Sequence, residues 1–220
     1  SVKALPFAIL LAIWGLFWSI PTAQAFTEGS GIIYTDTTWT AANSPYHVSG
    51  VLVNAGVTLT IEPGVVVKLS DNATIDVNGT LNVNGAPSDK VYFTSLKDDA
   101  LGGDSNADGA GTTPASGDWR NIKFFTGSTG NISNAVVKYA GAVFFSGSGG
   151  IFNNGGEVTV ADSLFEENGV GILNLSGNLN VMGSEFGNEG IGIFIWYGSA
   201  NVSGSNFHDN VQYGFFRHRQ

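Results

Sequence analysis

The chain has 220 residues, no Cys, 31 Gly and a formal net charge of -9, with 12% of its residues charged. The acidic balance, with no basic stripe to displace counterions from phosphates, excludes a nucleic-acid partner, and the lack of Cys excludes disulfide frameworks and thiolate zinc sites. Low charge with abundant Gly, Asn, Ser and Thr implies one domain of many short strands and tight turns.

Lys3 precedes an apolar run from Ala4 to Ile20, and Pro21-Thr22-Ala23-Gln24-Ala25 supplies the small-x-small ending that a signal peptidase reads. Residues 1–25 are therefore expected to be a signal peptide cleaved after Ala25, placing the mature chain outside the cell or on its surface. A membrane anchor is the competing reading, but the apolar run falls short of a span and no basic stop-transfer follows, so no stable membrane span is expected after cleavage. Residues 26–50 are irregular, with Trp39, Pro45 and Tyr46 as packing anchors, and read as an N-terminal cap over an otherwise open sheet edge.

Short alternating strands follow at Val51-Leu52-Val53, Thr58 to Ile61, Val65 to Val67, Thr74 to Val77, Thr80 to Val83 and Val91 to Phe93. They are divided by turns such as Asn54-Ala55-Gly56, Glu62-Pro63-Gly64 and Asn78-Gly79. These segments are too short for helices and crossovers. The stretch Val57 to Leu69, with Gly79-Thr-Leu-Asn-Val83, Val91-Tyr-Phe-Thr-Ser95 and Gly117-Asp-Trp119, resembles the opening of bacterial right-handed parallel β-helix proteins of the pectin-lyase-like superfamily. The resemblance implies an all-β, single-stranded, right-handed parallel β-helix over residues 51–216. It implies no single activity, because that superfamily holds lyases, hydrolases, adhesins and surface-layer proteins.

The rhythm stops over residues 96–118, which read as a loop insertion. Asp104-x-Asn106-x-Asp108-Gly109 has the alternate oxygen spacing by which a calcium loop aims side chains at one hard cation. The acidic residue expected at position 12 of a full loop is replaced by Ala115, so Asp98, Asp99 and Asp118 are the candidates to complete the set. A structural Ca²⁺ is the expected cofactor. A solvated Asp/Gly-rich loop without an ion is the alternative.

The regular part runs from Val158 to Phe216, where a pattern recurs at 21 residues: Val160, Val181 and Val202; Ser163, Ser184 and Ser205; Phe165, Phe186 and Phe207. Such columns imply a solenoid whose rungs stack as parallel strands about 4.8 Å apart. Leu173 is expected over Phe194 and Phe215, and an upstream copy from Ile132 to Tyr139 matches at an offset of 26 around a Gly/Ser-rich insertion near Ala142 to Gly150. The Ser column reads as a hydrogen-bonded ladder, with no His fixed beside it.

The same alignment tests catalytic pairs. Asp162 and Glu185 fall in near-equivalent places one rung apart, while Glu167 and Asp209 lie two rungs apart at about 9.6 Å, the outer limit for an inverting carboxylate pair. Acids lining a solvated turn give the same pattern. The acidic pair Asp98-Asp99 lacks the Gly-His-Gly and Arg-x-Lys that the polygalacturonase-like members carry, and Arg120 has no carboxylate ladder to make it a lyase base. His47, His208 and His218 lack metal-ligand spacing. Trp196 and Tyr197 are the candidate ligand-binding residues, placed to stack on a sugar ring. A non-catalytic extracellular or cell-surface scaffold of adhesin or glycan-contacting type is the expected function, with a polysaccharide or surface glycan as partner. The alternative is a polysaccharide lyase or glycoside hydrolase whose catalytic coils lie beyond Gln220. Residues 217–220 read as a truncated tail, with additional coils or a further domain expected after it.

Overall fold

The computed structural model describes residues 25–141 and 149–218. The expected signal peptide, except Ala25, the insertion residues 142–148 with Phe144 and Phe145, and the last two residues lie outside the described residues. Among the described residues there is no α-helix, only a 3-10 turn at Ala41–Asn43, and no helix is long and apolar enough to cross a membrane.

The strands come in rounds of three. The first holds β1 (Thr27–Glu28), β2 (Gly31–Ile33) and β3 (Thr37–Trp39); the second β4 (Tyr46–Val48), β5 (Val51–Val53) and β6 (Thr58–Ile61). The third holds β7 (Val66–Leu69), β8 (Thr74–Val77) and β9 (Thr80–Asn84); the fourth β10 (Val91–Ser95), β11 (Asn121–Phe125) and β12 (Thr129–Ser133). In the fifth, β13 (Ala135–Lys138) precedes β14 (Ile151–Ala161), and in the sixth β15 (Leu164–Glu166) precedes β16 (Val170–Met182). The long strands β14 and β16 each fill two places. The seventh holds β17 (Glu185–Gly187), β18 (Ile191–Ile195) and β19 (Ser199–Ser203), followed by β20 (Asn206–His208) and β21 (Tyr213–Arg217).

Every pairing is parallel, and each strand pairs with its counterpart in the rounds before and after. The first places form the eight-stranded sheet β1-β4-β7-β10-β13-β15-β17-β20. The second and third places form two further rows, joined where β14 and β16 run from one into the other. Both long strands turn that corner at a glycine in the left-handed region, Gly155 (φ 110) and Gly177 (φ 88). A Cβ on Gly177 would lie 2.4 Å from the Gly156 carbonyl oxygen, so a side chain there is excluded by contact as well as by dihedral.

Alternation with period two turns one side of each strand inward, and the inward set is branched or aromatic: Leu59, Ile61, Val67, Leu69, Ile75, Val77, Leu81, Val83 and Phe93 are all inaccessible. These residues join one core that continues to Ile195. The stretch expected as a cap carries β1 to β4 in register with the rows, and Trp39 stacks on Tyr46 at 4.8 Å, both buried.

The 21-residue step is observed as Val158↔Leu179↔Ala200, Val160↔Val181↔Val202 and Phe165↔Phe186↔Phe207. The Phe rings stack at 4.9 and 5.0 Å, tilted by only 12° and 11°. Ser184 Oγ accepts from the Ser163 amide and Ser205 Oγ from the Ser184 amide, so the Ser column is a backbone clasp. Two alignments are corrected. Ile132 pairs with Val160 and Val137 with Phe165, a step of 28 rather than 26, because the excess residues leave the row between β13 and β14. Phe194 pairs with Phe216, not Phe215, because one extra residue enters before β21.

Candidate functional site

No strand runs between Ser95 and Asn121, and the intervening segment folds back over the outside of β7. Within it Asp99, Asp104 and Asp108 each place a carboxylate oxygen within 4.8 Å of the others. Asp104 accepts from the Gly109 amide at 2.9 Å, and Asp108 from the amides of Ala110 and Gly111, so the loop's own backbone aims these groups. Burial pushes the Asp99 carboxyl up, reinforced by the neighbouring Asp104 and Asp108 charges. Hydrogen bonds, chiefly from Thr112, hold Asp108 below the usual carboxylate range. Buried oxygens of Asp99 and Asn106 receive no hydrogen bond. This donor set of carboxylates and an amide oxygen suits a hard cation.

Asp98 and Asp118 stand apart from that set. Asp98 accepts from the Thr94 hydroxyl at 2.6 Å, while Asp118 is held by Ser95 at 2.7 Å and by the Lys97 ammonium at 2.8 Å. Lys68, fully buried, sends its ammonium to the Gly103 carbonyl. Burial lowers its pKa, against the opposing pull of Asp98, Asp99 and Asp104. The loop is thus tied to the sheet by a buried cation.

Trp196 and Tyr197 follow β18, and neither enters the core; Ile195 takes the inward place. Trp196 lies 5.4 Å from both Phe194 and His218, and Phe194 meets Phe216 at 5.1 Å, which in turn lies 4.9 Å from Tyr213. Tyr197 is 61% exposed and sits 6.0 Å from Trp196. The result is a continuous run of rings on the outer side of the second row. Aromatic faces of this kind stack on the C–H faces of sugars while the phenol and indole edges hydrogen-bond. Trp196 and Tyr197 stand out in the sequence as an adjacent aromatic pair; Tyr213, Phe216 and His218 join their row only when the extra residue before β21 is allowed for.

The four carboxylates weighed for catalysis each have local partners. Asp162 stands beside Gly183 rather than Glu185: a Cβ on Gly183 would meet its Oδ1 at 2.6 Å, whereas Glu185 pairs with Leu164 and Asn206. Glu167 and Asp209 occupy equivalent left-handed turn positions with Asn188 between them (φ 58, 52 and 54). Glu167 faces the Lys138 ammonium at 3.6 Å, and Asp209 and Glu185 hold the His208 imidazole at 3.0 and 2.7 Å. Their place is explained by turn conformation and local ion pairing.

Glu189 was missed. It lies one step from Asn168 and one from Asn210, in a column where the Asn side chains clasp backbone. Asn168 donates to the Val137 carbonyl at 2.9 Å and Asn210 to the Phe186 carbonyl at 3.0 Å. Glu189 is inaccessible, accepts from Asn168 at 2.7 Å, and has no partner at its other oxygen. Burial pushes its carboxyl up to about 8, with the charges of Glu166 and Glu167 adding to the effect. No protein-family model matches the chain, and neither does any curated protein or solved structure.

Proposed function

We propose that the chain is a right-handed parallel β-helix acting outside the cell as a rigid scaffold that contacts glycan. The supporting observation for the architecture is that three rows of parallel strands are visited in the same order round after round; the hand follows the strong preference of parallel crossovers and the resemblance of the Val57 to Leu69 stretch. The observation that carries the glycan reading is the run of rings from Tyr213 to Tyr197. The contact proposed is binding, with Glu167, Asp209, Asp162 and Glu185 serving turns and local ion pairs. With a net charge of -9, a neutral polysaccharide is the better partner. Secretion directed by the Ala4 to Ile20 segment belongs to the same proposal.

Calcium is proposed as a structural ion held by Asp99, Asp104, Asp108 and Asn106. Its chemistry there is charge neutralisation, fixing a protruding loop.

Affinity electrophoresis through gels containing xylan, mixed-linkage β-glucan or polygalacturonate tests the glycan reading. Retardation by a neutral polysaccharide is expected, with loss of about tenfold in affinity for Trp196→Ala/Tyr197→Ala, since each of the two lost stacking contacts removes roughly 0.5–1.5 kcal/mol. Equal mobility of the folded double variant and the wild type in every gel would remove the aromatic run from the account.

A further inference from the structure

The first three rounds bring together residues separated by 19 and 23 positions. Parallel pairing sets Glu28 beside His47 and His47 beside Lys68, so these alternate residues stack in one outward column. Ser70 follows β7, on the same side as Lys68, and its amide is fixed to the Val48 carbonyl at 3.0 Å. His47 Nε2 lies 2.7 Å from Ser70 Oγ, and His47 Nδ1 lies 3.2 Å from Glu28 Oε2. The other Glu28 oxygen accepts from the Ser30 amide at 3.0 Å. Hydrogen bonding from Ser30, with a smaller contribution from His47, holds the Glu28 carboxyl below its usual range, so it is ionised at neutral pH.

We propose that Ser70, His47 and Glu28 form an acyl-ester hydrolase site, with Ser70 as nucleophile, His47 as general base and Glu28 as the positioning residue. A hydroxyl within hydrogen-bond reach of an imidazole, itself oriented by a carboxylate, is the arrangement by which serine is activated whatever the fold. With Nδ1–H donated to Glu28, the Nε2 lone pair faces the Ser70 proton. The Phe26 ring packs edge-on against the imidazole at 4.8 Å and restrains it. The Asp71 amide, next after the nucleophile in the chain, is assigned as the oxyanion donor. The Asp71 side chain is neutralised by Lys97 at 2.9 Å.

The steps balance with water as co-reactant. Ser70 Oγ forms a bond to the ester carbonyl carbon as its proton passes to His47 Nε2 and the carbonyl π pair moves onto oxygen. Collapse breaks the bond to the alcohol, which leaves with the Nε2 proton. Water then attacks the acyl-serine, giving a proton to Nε2; the acid departs and Ser70 regains its proton. Glu28 and Phe26 are 56% and 44% exposed, so the site opens directly to solvent with one ring beside it. It fits a short acyl group projecting from a larger hydroxylated body rather than a long-chain ester. The inference rests on this geometry alone and stands or falls independently of the aromatic run.

The test uses the full chain with p-nitrophenyl acetate, and with a biotinylated fluorophosphonate located by peptide mass spectrometry. Label at Ser70 and saturable hydrolysis are expected. Ser70→Ala should abolish both, and His47→Asn should lower kcat by about a hundredfold or more. Glu28→Gln should lower kcat about tenfold with KM unchanged and the unfolding curve unshifted, a split that a purely structural Glu28 would not give. If a variant unfolds, the labelled position in the wild type decides the matter. Absence of label at Ser70, or hydrolysis by folded Ser70→Ala at the wild-type rate, overturns the assignment.

Discussion

Glu189 is the residue whose ionisation bears most directly on stability. Its folded-state pKa is raised from an ordinary 4.5 to about 8, so the native state binds a proton that the unfolded chain has already released between those values. Its contribution is fully present below pH 4.5 and is lost as pH rises towards 8, a swing on the order of a few kcal/mol. A urea-unfolding series from pH 4.5 to 8.5 should show this decline, and Glu189→Gln should flatten it while restoring an amide like those of Asn168 and Asn210. An unchanged pH slope in the Gln variant would refute the assignment. Phe186, inaccessible and stacked on both sides, should cost about 3–5 kcal/mol when cut to Ala, read by the same unfolding curves. The Phe column was legible because identical side chains at a constant step announce stacking. The Ser70, His47 and Glu28 cluster was not, because early rounds differ in turn length and no constant step links residues 19 and 23 apart.

Among the elements, the loop between β10 and β11 is the one proposed to hold an ion. Burial first, and the neighbouring Asp104 and Asp108 charges second, push the Asp99 carboxyl up. Thermal melts in excess EDTA and then in millimolar calcium should differ by several degrees, with the rise abolished by Asp104→Ala/Asp108→Ala. A midpoint indifferent to calcium would leave the loop held by Lys68 and Asp118 alone. The spacing of Asp104, Asn106 and Asp108 was visible in the sequence, and the structure gathers Asp99, Asp104 and Asp108. The roles of Asp98 and Asp118 were not visible, because sequence proximity does not show that Thr94, Ser95 and Lys97 already occupy their oxygens. The strands themselves were easier to read. Alternating branched residues between Gly and Asn turns mark both the period and the ends of β5, β6, β8 and β9.

At the scale of the molecule, the rows hold because insertions leave the stack instead of entering it. The 25 residues between β10 and β11 intervene without breaking the register: Asn121 to Phe124 pair with Thr74 to Val77, and Asn131 pairs with Asn82 across 49 positions. A constant repeat is therefore seen only from β14 to β20, where no insertion occurs, and the parallel rows upstream had to be inferred from strand spacing. Their outer Asn residues give the most direct test. The native chain has no Cys, so Asn82→Cys with Asn131→Cys creates a single possible crosslink between neighbouring strands. Near-complete disulfide formation is expected in the folded protein on mild oxidation, because adjacent strands lie about 4.8 Å apart. Asn82→Cys with Thr159→Cys, two strands apart, should remain reduced. Equal oxidation of the two pairs, or none in the first, would contradict the stacked rounds on which the proposed scaffold rests.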